Sequence, residues 1–168
     1  MSPAWPRNII PYTEDKLRAL STVASIELYE AALDGPLAES EIGPDQLELA
    51  DQMVKAGLLR RERGLLVPTH RHRRDPDGDV PGVVEHKRAV VGYAQALLAD
   101  TLHALDARGH EAIAGLGVVT LPDKPDVVAR ATTIIAEAED QLRALAEEHP
   151  RHEGDRALRL MVFIGARE

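Results

Sequence analysis

Apolar residues recur at intervals of three and four from Leu17 and Leu20 through Val23, Ile26 and Leu28 to Leu33, the spacing of one buried helical face. Thr13, followed by Glu14 and Asp15, marks its start, because a hydroxyl accepts a free N–H of the first turn and carboxylates there suit the helix dipole. Asp34-Gly35-Pro36 ends the element. A very short segment, Leu37 to Ile42, is then broken by Gly43-Pro44. Pro44 fits the first turn of a new helix running to Ala56, with Leu47, Ala50, Met53 and Val54 on its buried face and Gly57 closing it. The period changes there. Leu58–Glu62 and Leu65–Thr69, placed about a turn at Arg63-Gly64, predict a β-hairpin.

Residues 75–82, DPDGDVPG, read as a loop by their Pro, Gly and Asp content. A long helix is expected from about Val83 to Ala107, with Val91, Ala94, Leu98, Leu102 and Leu105 on one stripe. Gly117–Leu121 predicts a short strand, and a further helix follows near Asp126 to Glu148. Its positions Val127, Ala131, Ile134, Ala138, Leu142 and Leu145 form a coiled-coil-like seam that calls for a partner helix. Leu158–Ile164 is dense in strand formers. The first residues, with Pro3, Pro6 and Pro11, predict an irregular arm anchored by Trp5 and Ile9-Ile10.

At 168 residues the chain has room for one domain with a core, or a small domain with a helical extension. Hydrophobic residues make up 44% of it but aromatics only 3%, so the core is aliphatic, a mix that favours helices. No apolar run approaches a membrane span and the first residues lack a signal pattern, so a cytoplasmic protein is expected. The absence of cysteine removes disulfides, thiolate metal sites and cysteine nucleophiles together. No nucleophile elbow, phosphate-cradling glycine loop or zinc-type histidine pair occurs, so neither an enzyme nor a cofactor is expected.

Helix, very short helix, turn, second helix and hairpin are the order of elements in a winged helix-turn-helix. The stretch LAESEIGPDQLELADQMVKAGLLRRERGLLVPT resembles the amino-terminal winged-helix domain of TrmB-like and LuxR-related bacterial transcriptional regulators, and more loosely those of the ArsR and MarR groups. Leu37-Ala38 stands where these regulators open the positioning helix, Gly43-Pro44 at the small-residue turn, and Met53 with Ala56-Gly57-Leu58 at the end of the recognition helix. The wing then spans Leu59 to Thr69. GLGVVTLPDKPDVVARATTIIAEAEDQL resembles the opening of their effector domain, and from the length neither a full sensor domain nor a second DNA-binding domain is expected.

The resemblance implies a mainly α fold: a winged helix-turn-helix followed by long helices that dimerise through a coiled-coil-like seam, with a few short strands. It implies an arm at 1–12, a winged-helix domain at 13–74, a linker loop at 75–82 and a helical dimerisation or effector-like region at 83–168.

Charge sharpens the expectation and complicates it. The chain carries a formal net charge of −8, yet the stretch from 60 to 74 holds six arginines and two histidines against the single acid Glu62. Such a cluster suits a polyanion. Arg60, Arg61 and Arg63 are expected to grip phosphates of double-stranded DNA from the wing, Lys55, Arg71, Arg73 and Arg74 to add phosphate contacts, and Gln46 and Gln52 to reach base edges. The recognition helix itself carries Asp45, Glu48 and Asp51 against Lys55, and acids near phosphate are repelled. The arginines have an alternative use in pairing with these acids.

A rival reading therefore stands beside the DNA-binding regulator: a degenerate winged-helix interaction module whose acidic helix docks a partner protein. A small-molecule effector seated between dimer helices is compatible with both. His70 and His72 lie among arginines that repel a cation, and His149 and His152 lie in a loop, so no metal is expected.

Overall fold

The computed structural model describes residues 9–70, 72–74, 79–108, 121 and 124–149. Within them the fold is mainly α with small sheets: β1 (Ile9–Pro11), α1 (Glu14–Ala19), α2 (Val23–Asp34), β2 (Leu37–Ala38), a 3-10 turn at Glu39–Glu41, α3 (Pro44–Lys55), β3 (Leu59–Glu62), β4 (Leu65–Pro68), β5 (His72–Arg74), α4 (Val83–Arg108) and α5 (Pro125–Glu148). These residues fall into two compact units, one within 7–96 and one within 97–168. The expected strand at 117–121 apart from Leu121, the expected strand at 158–164, the Trp5 anchor, Arg71, His152 and residues 75–78 of the expected loop lie outside the described residues.

The first unit is built around the aliphatic side chains that the periodicity selects. Leu20, Ile26, Leu28, Tyr29 and Ala32 meet Ala50 and Met53 of α3, Leu58, Leu59 and Leu66 of the hairpin, and Ala89 of α4, and Leu17 of α1 is likewise fully buried. Burying each such leucine contributes about 1.5–3 kcal/mol over leaving it in water.

The single helix expected from Thr13 to Leu33 is two helices. Apolar spacing runs on across Leu20, but a new N-terminus starts at Thr22: its Oγ1 accepts the Ser25 N–H and Ser25 Oγ accepts the Thr22 N–H, both at 3.1 Å. This reciprocal cap satisfies free amides that a continuous helix would not have. The Leu20 carbonyl ending α1 is bonded at 2.9 Å by Nδ1 of the buried His86 on α4, which fixes that nitrogen as the protonated one. Tyr12 tilts against the same imidazole, ring centres 4.9 Å apart.

Helix α3 matches the expected element at both ends. Pro44 sits in its first turn, and the Gly43 N–H donates to Gln46 Oε1 at 3.2 Å. At the other end Leu58 N–H donates to the Met53 carbonyl and Gly57 N–H to that of Val54, a Schellman closure that needs the left-handed φ of +69° at Gly57. The hairpin follows at once. Arg63 and Gly64 both have positive φ, 54° and 79°, so their two-residue turn is type I′, the hand that matches strand twist.

Two strands depart from the expected pattern. Leu37-Ala38 opens no helix: it pairs with Leu66 and Leu65, giving an antiparallel sheet in the order β2-β4-β3, and the positioning element shrinks to one 3-10 turn. Ile9–Pro11, expected to be irregular, pairs in parallel with His72–Arg74. Backbone hydrogen bonding, which side-chain periodicity does not report, decides both.

Helix α4 begins packed on the first unit; a Cβ on Gly92 would stand 2.8 Å from Val23 Cγ2 at the start of α2. In the second unit, α5 buries Ala129 and Ala136, whereas Ile134, Leu142 and Leu145 of the expected seam are exposed by 57%, 41% and 52%.

Candidate nucleic-acid interface

The hairpin, the end of α3 and the 3-10 turn form one charged surface. Backbone bonds hold its parts together: Glu39 N–H donates to the Gly64 carbonyl at 3.0 Å, and Thr69 N–H to the Leu58 carbonyl at 3.0 Å. Thr69 Oγ1 donates to the Gly57 carbonyl at 2.7 Å, and Tyr29 Oη reaches from α2 to the His70 carbonyl at 3.0 Å. The turn from β4 toward β5 is thereby fixed to the helical layer.

The arginines of this surface are not equivalent. Arg61 Nε donates to Glu39 Oε1 at 2.6 Å, while its terminal nitrogen pairs with Asp51 of α3. The hydrogen bond to Glu39 first, and then that to Asp51, hold its guanidinium charged well above its ordinary range. Arg60 Nε lies 2.7 Å from Glu62 Oε1 on the same strand. Arg63, at the tip of the turn, is exposed and makes no ion pair among the described residues. Lys55, exposed at the end of α3, is equally without an ion-pair partner there.

The remaining candidates separate. Gln46 is exposed, but its carbonyl oxygen is engaged at the helix start. Gln52 is exposed on α3. Arg73 and Arg74 are carried on β5, paired to Ile10 and Pro11 of the arm. Arg60, Arg61 and Arg63 thus share the hairpin, but Arg61 is turned to Glu39 and Asp51 while Arg60, with Glu62, lies on the opposite face of the same strand; Lys55 ends α3, and Arg73 and Arg74 lie on a separate sheet.

Two residues outside the expected set control this surface, Glu39 and Asp51. Asp51 was visible as a helix acid able to pair with the arginines; Glu39 became a partner only through the β2–β4 pairing, which carries no local signal. Asp45 and Glu48 are also exposed on α3 and have no cation partner among the described residues. The face of α3 turned to solvent is therefore acidic, and the hairpin tip beside it basic.

Among the described residues no three His, Asp or Glu side chains gather as a metal site would require, and no helix is long and apolar enough to cross a membrane. The arrangement offers charge and shape for a macromolecule. Compared with family models, with curated proteins and with solved structures, the chain matches none.

Proposed function

We propose that this chain is a cytoplasmic, dimeric, winged-helix DNA-binding regulator that grips the phosphate backbone with its hairpin and leaves base reading by α3 a minor part. The observation that carries this reading is Arg63. It sits at the tip of a type I′ turn, solvent-exposed and without an ion-pair partner among the described residues, on a sheet ordered β2-β4-β3 beside α2 and α3. A cation held at a hairpin tip reaches a phosphate with little loss of side-chain partners. Lys55 adds a second uncommitted charge. The exposed ridge Ile134, Leu142 and Leu145 supports a dimer through α5, since apolar residues at this spacing are ordinarily covered by another helix.

The test is fluorescence anisotropy with random-sequence duplex and with the DNA upstream of the chain's own gene, over a salt series. Salt-sensitive binding that favours the native fragment is expected. Absence of binding at about 50 mM salt, where nonspecific binders hold DNA, overturns the reading.

A second reading has its own observation. Asp45 and Glu48 stand exposed on α3 with no cation partner among the described residues, and carboxylates so placed suit a basic protein surface better than a duplex. Retention on an immobilised basic partner, together with no duplex binding, would favour this interaction module.

A further inference from the structure

The ion pairs at Arg61 have a use beyond holding the hairpin. A guanidinium offers a fork of donors that fits a phosphate or a carboxylate equally well. Here two carboxylates fill that fork, Glu39 at Nε, 2.6 Å away, and Asp51 at a terminal nitrogen. They come from the 3-10 turn and from α3, the two elements that flank the basic hairpin. Glu39 is itself held in place by its backbone bond to Gly64 at the hairpin turn. All three side chains keep contact with water, 42% for Arg61, 27% for Glu39 and 53% for Asp51, so the pairs are individually weak and exchangeable.

We propose that Glu39 and Asp51 form an internal latch that occupies Arg61 in place of phosphate, so that a polyanion gains this arginine only by displacing the chain's own carboxylates. Its action on DNA rests on the reading given above. The latch leaves Arg63 as the first contact and makes Arg61 a conditional one. Loose, generic association is thereby weakened, and a duplex seated closely on the hairpin is rewarded with an additional charged bond. Arg60, paired with Glu62 on its own strand, is subdued in the same way but from one side only.

The experiment compares the full chain with Glu39→Gln/Asp51→Asn, with that variant carrying Arg61→Gln, and with Asp45→Asn/Glu48→Gln, which removes equal charge from the surface without touching Arg61. Each is eluted from heparin by salt and titrated with random-sequence duplex; thermal unfolding verifies that each is folded. The unlatched variant is expected to elute at higher salt than the charge-matched control. On duplex it should bind about tenfold more tightly than the unaltered chain, with a salt slope steeper by about one, as one more phosphate contact requires. Adding Arg61→Gln should abolish the gain. Equal gains in the unlatched and charge-matched variants, or a gain that survives Arg61→Gln, overturn the latch. Heparin decides the latch without reference to DNA. If no protein holds duplex at about 50 mM salt, the DNA reading falls while the heparin comparison still decides the latch.

Discussion

The Leu58 N–H donates to the Met53 carbonyl at 2.9 Å, folding the chain back on itself across Gly57. Both side chains are fully buried, so this one bond joins the last turn of α3 to the start of the hairpin inside the core. With the Arg61–Asp51 pair, it sets the hairpin's position relative to α3.

Gly57→Ala is therefore expected to destabilise the fold by about 1–2 kcal/mol, the cost of a left-handed backbone for an L-residue. Beyond the adjoining residues no heavy atom lies within 4 Å of the added methyl, so the loss is conformational and not steric. Urea unfolding should give a lower midpoint with an unchanged slope, and Gly57→Asn should recover part of the difference.

Thr22→Ala removes the hydroxyl that caps α2 and should cost about 1 kcal/mol, while Thr22→Ser keeps the acceptor and most of the stability. Equal losses in the two variants, measured by thermal unfolding, would mean that the methyl group matters and the cap does not.

At Gly92 two effects oppose one another. Alanine gains about 1 kcal/mol of helix propensity, but its Cβ would lie 2.8 Å from Val23 Cγ2, closer than such contacts allow. Gly92→Ala is expected to lower stability alone and to raise it in a Val23→Ala background, a coupling that a double-mutant cycle reads directly.

Replacing Arg63 with alanine should weaken duplex binding on every sequence and flatten the salt slope by about one. Arg61→Ala should weaken it less, because that guanidinium is already held by Glu39 and Asp51. Anisotropy at several salt concentrations separates the two; an unchanged slope for Arg63→Ala would remove the hairpin tip from the interface.

Leu142→Glu/Leu145→Glu places carboxylates on the exposed ridge of α5 and should convert a dimer to a monomer in sedimentation equilibrium. A dimer that survives both changes would put the contact elsewhere.

How legible these features are in the sequence follows from the range over which each is determined. Helix α3, its Pro44 start and its Gly57 stop, the Arg63-Gly64 turn and the extents of α4 and α5 are set by residues within a few positions of one another, and the expected limits agree with the observed ones to within a residue or two. The α1–α2 break is hidden because Leu17, Leu20, Val23 and Ile26 keep helical spacing through it; the only local sign is Thr22 three residues before Ser25. Strand β2, two residues long, takes its identity from Leu65 and Leu66. At the candidate interface the basic residues stand out in sequence, but the carboxylates that neutralise Arg61 come from separate elements and meet it only after folding. Charge counted along the chain overstates charge presented at the surface.

The parallel pairing of β1 with β5 bears on where the first unit opens. The helices, the sheet and the hairpin all stand between Ile9 and His72 in sequence, so the two parallel strands pair across a long intervening chain. Closing a contact of such long sequence separation costs chain entropy that local contacts do not. The arm is the clasp of the first unit: held by a single short ladder, it is expected to open ahead of the core, so the earliest amide exchange in this unit should be found at residues 9–11 and 72–74.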